Sequence, residues 1–170
     1  GSPVLIAEQG GDRGVRLRDI NGDGSCELIV ANETQSEVFA WDAPERRWRQ
    51  AGYRLPEGIV IADREGNDRG LRLVDLDDDG RLDVVYSNET EYALHLFDSP
   101  ETGWGESLQA GKRPQEQGIP PIVRGASDNG AWFHSRHLWV QNEDTAKLKD
   151  LVDRRSYHDL LAGSKPSGHT

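Results

Sequence analysis

The 170-residue chain sets 20 Lys and Arg against 30 Asp and Glu, a formal net charge of -10, with 35% hydrophobic residues. That is enough apolar content to bury a core, and too many carboxylates for a surface that binds nucleic acid or an anionic membrane. No run of about 18 apolar residues is present to span a bilayer, and no signal peptide is visible. Gly1-Ser2 reads as a cloning scar, and the single cysteine, Cys26, excludes an internal disulfide or a multi-thiol metal site.

The chain repeats itself. A shift of 56 residues lays "DRGVRLRDINGDGSCELIVANETQSEVFAWDAPERRW" (12–48) on "DRGLRLVDLDDDGRLDVVYSNETEYALHLFDSPETGW" (68–104), with fifteen of 37 positions identical. The apolar runs in each unit are three to five residues long, rich in Val, Ile, Leu and aromatics, and separated by Gly, Asn and Asp, which are strand signals. A unit reads as four strands, about 4–7, 14–18, 27–31 and 37–41, repeated 55 or 56 residues on. A third copy starts at "PPIVRGASDNG" from Pro120, and its "LWVQNED" (138–144) aligns with "LIVANET" (28–34). There "FHSRH" (133–137) replaces the acidic loop. Four-stranded units of this length suit the blades of a β-propeller.

The expected fold is therefore all-β: two full propeller blades, a partial third and a short helical end. Repeat one spans 3–56, repeat two 57–118 and the degenerate third 119–144. A broken helix is predicted over about 145–161, within a helical segment 145–162 in which Leu148, Leu151 and Val152 fall at helical spacing. Ser156 and Asp159 would cap its second part. A flexible tail, 163–170, follows. A propeller needs at least four blades to close, so the remainder of the ring would come from a longer parent chain or from another copy of this one.

The acidic loops carry the chemistry. Calcium takes six to eight oxygens, and a loop supplies them from alternate positions when Asp or Asn stands at positions 1, 3 and 5, with Gly at 6 and a carbonyl at 7. Loop one offers Asp19, Asn21, Asp23, the Ser25 carbonyl and Glu27; loop two offers Asp75, Asp77, Asp79, the Arg81 carbonyl and Asp83. Val30 and Tyr86 occupy position 12, so the closing Glu of a helix-loop-helix site is absent and the position 9 carboxylate must close each loop. The side chains hold seven of the ten net negative charges, and two Ca²⁺ would bring the formal charge from -10 to -6. Magnesium fits less well, because it keeps its waters and demands a regular octahedron. Asp, Asn and Gly also form turns without metal, but recurrence at one place in two repeats favours the ion.

The unit D-x-[ND]-x-D-G-x-x-[DE] followed by an apolar strand resembles the FG-GAP or VCBS repeat, the calcium-loop blade of integrin-type and many bacterial secreted propellers. The match covers 12–42 and 68–98. It implies Ca²⁺ ligands at the residues just named, although the Phe-Gly and Gly-Ala-Pro signatures are missing. The stretch 133–161 also resembles a segment of the large secreted haem-binding and dehydrogenase-like proteins of planctomycetes and verrucomicrobia. There such repeats adjoin a sugar-dehydrogenase-like propeller and a CxxCH cytochrome domain. No CxxCH occurs here, so haem chemistry would lie outside the chain, and both resemblances imply an exported, extracellular or periplasmic, bacterial protein.

Other residues carry weaker signals. His134 and His137 stand where the third loop is lost, and two His without a third ligand suit a structural or interface role better than a metal. "NET" at Asn32 and Asn88 fits the glycosylation sequon, but its recurrence at one repeat position suits a turn. Trp41 and Trp139 read as core, whereas Trp48 and Trp104 lie at matching loop positions where an indole can stack a sugar. Asp12-Arg13-Gly14 and Asp68-Arg69-Gly70 read as turns between blades, the Arg pairing with a neighbouring carboxylate. No Ser/His/Asp set or phosphate loop stands out. The leading expectation is a non-catalytic scaffold or interaction module of a multidomain protein, partnered by other blades or domains, by a protein or glycan, or by its own copy. The alternatives are part of a sugar-oxidising, haem-linked enzyme and a carbohydrate-binding module.

Overall fold

A computed structural model describes residues 4, 6–8, 10–115 and 118–163. The predicted scar and nearly all of the predicted flexible tail lie outside these residues. The chain opens on a two-stranded ribbon, β1 (Ala7–Glu8) with β2 (Gly11–Asp12). It then builds an antiparallel sheet in chain order from β3 (Val15–Arg18), β4 (Glu27–Asn32), β5 (Gln35–Asp42) and β6 (Arg47–Gln50). The second sheet repeats the order with β7 (Leu71–Val74), β8 (Asp83–Ser87), β9 (Glu91–Ser99) and β10 (Gly103–Lys112). A second ribbon, β11 (Val123–Arg124) with β12 (Ser127–Asp128), leads into a three-stranded sheet of β13 (Ala131–His134), β14 (His137–Val140) and β15 (Asp153–Ser156). One five-residue helix, α1 (Tyr157–Leu161), follows it. The architecture is all-β.

Strand alternation puts successive side chains on opposite faces, and the second sheet uses this to grip both neighbours. Ile29, Ala31 and Val38 of the first sheet share one buried cluster with Val84, Tyr86 and Phe97 of the second, and Tyr53, Leu55, Ile59 and Ile61 of the connection fill the seam. Val85 and Leu94, on the other face of the second sheet, share a cluster with Leu138 and Val140 of the third and Tyr157 of α1. Each such side chain contributes about 1.5–3 kcal/mol on full burial. Trp104 meets Phe97 and Tyr53 edge to face at 5.2 and 5.8 Å and donates its indole N–H to the Leu82 carbonyl at 2.9 Å.

Three departures from the sequence reading have physical reasons. The apolar runs expected as first strands do not join the sheets: Ile59 and Ile61 pack into the seam, and only the isolated bridge Ala62–Asp68 marks the place of the ribbon. The fourth strand comes instead from the far end of each unit, β6 and β10. β6 is polar because it lies at the sheet rim, and Trp48 holds it to Trp41 edge to face at 5.3 Å. The predicted helix 145–161 is replaced by a 3-10 turn, Glu143–Lys147, then β15 and α1. Leu148 turns extended, Leu151 takes φ 59°, and both are solvent-exposed, so the helical spacing of the leucines serves no packed face. The predicted cap survives: Ser156 Oγ accepts the Asp159 N–H at 3.1 Å.

One clamp recurs in all three units. Asp12, Asp68 and Asp128 each accept the N–H of the glycine two residues on, Gly14, Gly70 and Gly130. These glycines have φ between 68° and 87°, and a Cβ on any of them would lie 2.0–2.2 Å from a carbonyl oxygen of Ala31, Ser87 or Gln141. Only glycine permits that approach. At the far end Asn32, Asn88 and Asn142 donate their side-chain N–H to the carbonyls of Arg13, Arg69 and Asn129. The third hairpin so bounded is six residues shorter than the others, because residues 135–136 alone join its strands where residues 19–26 do so in the first.

Candidate functional site

The acidic loops join the first to the second strand of their sheets and stand side by side. The Leu82 N–H donates to the Ile20 carbonyl at 2.8 Å, and a Cβ on Gly22 would meet the Gly80 carbonyl oxygen at 2.5 Å. The third hairpin continues the row, for Arg136 at its turn forms an ion pair with Asp78 in loop two.

Each loop is anchored by its ninth residue. Glu27 and Asp83 are 2% and 1% exposed although charged types are seldom so buried. Glu27 accepts the Ile20 N–H and Asp83 the Leu76 N–H, both at 2.8 Å, while the second oxygen of Asp83 accepts the Phe97 N–H at 3.0 Å. Ile20 and Leu76 at position 2 are fully buried in the clusters that join the sheets. Burial pushes the Asp83 carboxyl up to about 6 against the pull of those N–H donors, with Asp77 and Asp79 adding repulsion. Burial raises Glu27 as well, and Asp23 and Asp19 add to the effect.

Loop two gathers carboxylates. One oxygen each from Asp75, Asp77 and Asp83 lie within 4.8 Å of one another. The Asp75 Oδ2 accepts the Gly80 N–H at 3.0 Å, but its Oδ1 is buried with no hydrogen-bond partner among the described residues. A buried acceptor so left costs about 1–3 kcal/mol, more when charged. Asp79, expected in the same group, turns to Arg81: its oxygens accept the Arg81 N–H at 2.8 Å and Nε at 2.7 Å, and the guanidinium reaches on to the Asp98 carbonyl. This pairing holds Asp79 below the usual carboxylate range.

Loop one is drawn tighter by its own hydrogen bonds. Asp19 accepts the N–H groups of Asp23 and Gly24, and Asp23 accepts that of Ser25. The side-chain amide of Asn21 donates to Asp23 and Glu27 at 3.2 and 3.4 Å, so an N–H stands where loop two presents the Asp77 carboxylate. Among the described residues, Asp75, Asp77 and Asp83 form the one acidic or His-containing group of this kind. The two loops thus differ: loop two brings three carboxylates together, whereas in loop one the Asn21 amide lies between Asp23 and Glu27, its Oδ1 accepting the Asp23 N–H at 2.9 Å.

The remaining candidates resolve differently. His134 and His137 pair across the third hairpin and bond locally, His134 Nδ1 with Ser135 Oγ at 2.8 Å and His137 Nδ1 with the Ser135 carbonyl at 2.7 Å. Trp104, considered as a sugar platform, is 8% exposed in the seam, and Trp48 is half-buried. Trp41, expected in the core, is 46% exposed. Trp139 is half-buried and stacks on Trp132, their planes 7° apart. The "NET" asparagines serve the turn: Asn32 and Asn88 Oδ1 each accept two backbone N–H groups and a Thr hydroxyl. The Asp-Arg-Gly turns sit at the entry to β3 and β7; Arg13 pairs with the neighbouring Glu8 at 3.7 Å, and the turn aspartates are held by later arginines, Arg16 at 2.6 Å and Arg72 at 2.9 Å. Sequence reasoning missed Arg81 and Arg136 as partners of the acidic loops; the replacement of the third loop by "FHSRH" was the available signal for Arg136. No helix among the described residues is long and apolar enough to cross a membrane.

The family model of the FG-GAP-like repeat matches residues 19–86, from the first residue of loop one into β8. No curated protein and no solved structure matches the chain.

Proposed function

We propose that the chain is a calcium-stabilised β-propeller repeat module, acting as a non-catalytic scaffold or interaction domain of an exported multidomain protein. The FG-GAP-like match and the three sheets packed in chain order support the repeat reading. The observation that carries the ion is the buried, partnerless Oδ1 of Asp75 beside Asp77 and Asp83. A hard cation is the partner such an oxygen lacks, and all-oxygen ligation with irregular spacing suits Ca²⁺. Asp75, Asp77 and Asp83 would hold it in loop two with the Arg81 carbonyl; Asp19, Asn21, Asp23, Glu27 and the Ser25 carbonyl would do so in loop one.

When bound, the cation would neutralise carboxylates that otherwise repel across a few ångströms. The chain's own part is to fix them: Leu76 and Phe97 orient Asp83 through their N–H groups, and Arg81 draws Asp79 aside. Thermal melting in EDTA and then in excess Ca²⁺ tests the reading. Saturation at a hundred times Kd adds about 2.7 kcal/mol, a rise on the order of 5–10 °C for a chain of this length. Equal melting temperatures in EDTA and Ca²⁺ would sink it, and an equal response to Mg²⁺ would remove the specificity.

A further inference from the structure

The two terminal sheets present unlike outer faces, that of the first part-covered where Val4, Phe39 and Trp48 pack on buried Val15, Leu28 and Val30, and the repeat register says what each is built to meet. On the first sheet Leu17 and Trp41 are 51% and 46% exposed, and Trp48 packs edge to face on Trp41. One repeat later the matching residues are Leu73, Phe97 and Trp104, which lie in the seam against the first sheet. The face bearing Trp41 is therefore a seam face, shaped to receive the opposite face of another sheet. On the third sheet Ala131, Phe133, Leu138 and Val140 turn toward the second sheet, which leaves Trp132, Trp139 and Arg154 on the outer side. Trp139 and Arg154 form a cross-strand pair equivalent to Ile29–Val38 and Val85–Leu94, the pairs that enter the two internal seams.

Charge identifies the occupant. Arg154 lies over Trp139 at 5.4 Å and has no carboxylate partner among the described residues. Glu37, on the Trp41 face opposite Val30, is held by the amides of Gln35 and Gln50 and, among the described residues, by no cation. In the internal seam the residues at these two repeat positions are Val38 and Ala93, which share one cluster. We propose that two copies of the chain pair head to tail, the third sheet of each laid on the first sheet of the other, with Arg154 meeting Glu37 and the paired indoles covering Trp41. Used twice about a two-fold axis, the contact closes a ring of six sheets, within the four to eight of known propellers. The inference rests on the sheet packing and not on the cation.

Sedimentation velocity on the whole chain tests it. The expected result is a species of twice the chain mass at about 50 µM, and a monomer for Trp41→Glu with unchanged far-ultraviolet circular dichroism. Glu37→Arg and Arg154→Glu should each weaken association about tenfold, and the double variant should restore it. A monomeric parent chain overturns the proposal. So does a dimer indifferent to both charge reversals, which indicates another contact, or growth beyond the dimer, which indicates a ring that does not close. Calcium-dependent melting is read separately, so either idea can fail without the other.

Discussion

Asp83 and Asp75 divide the work of loop two. Asp83→Ala strips both the Leu76 and Phe97 N–H groups of their acceptor inside the fold, so it should cost about 2–4 kcal/mol even in EDTA. Asp75→Asn keeps an acceptor for Gly80 while removing charge from the pocket, so it should cost little in EDTA and abolish most of the Ca²⁺-induced rise in melting temperature. Urea titrations of both variants with and without Ca²⁺ would separate the roles. Gly70→Ala should cost about 2–3 kcal/mol by the same measurement, because it combines a positive φ with a Cβ set against the Ser87 carbonyl. Asp12 offers a pH test. Its hydrogen bonds from Arg16 hold the carboxyl below its ordinary value, so its stabilisation is present above the unfolded pKa and is lost as the pH falls through the folded one. The urea midpoint of Asp12→Asn should therefore decline less than that of the parent chain below about pH 4.

At the level of the strand and loop, identical sequence positions have unlike environments, and mutation should expose this. Phe97→Ala removes a buried side chain packed by Tyr53 and Trp104 and should cost about 3–5 kcal/mol, whereas Trp41→Ala at the matching position one repeat earlier, measured in dilute protein, should cost under about 1 kcal/mol. The same contrast explains what the sequence could convey. β4 and β8 were legible because their buried interiors, Leu28–Ala31 and Val84–Tyr86, are unbroken apolar runs. β6 was not, since a rim strand needs only Trp48 to hold it and otherwise reads as a polar loop. Ile59 and Ile61 misled in the opposite sense, being apolar enough for a strand yet spent on filling a seam. The loops were legible as acidic clusters; that Asp79 would turn to Arg81 and Asn21 toward its own carboxylates was not, because side-chain partners depend on which atoms the backbone turn brings together.

For the whole molecule, three sheets joined by two apolar seams place the most protected backbone in the centres of the first two. Amide hydrogen exchange should be slowest at Ile29, Val30, Val84 and Val85 and fastest among the strands at Arg47–Gln50, and uniform exchange across the first sheet would contradict that ranking. The polarity of the chain, an aromatic face at one end and an arginine-covered one at the other, gives the stack a direction that neither seam alone would reveal.

The clamp of aspartate, glycine and asparagine has a consequence for how such a unit can change. Both ends of the first hairpin are tied by backbone carbonyls that never involve the segment between them, so that segment behaves as a cassette. The third unit is the demonstration, six residues shorter with the same clamp closed around it and an arginine reaching to the neighbouring loop. The ion we propose would in this sense be an accessory of the fold and not its premise. A unit can surrender its acidic loop, or accept one between Phe133 and His137, without renegotiating the register of its strands.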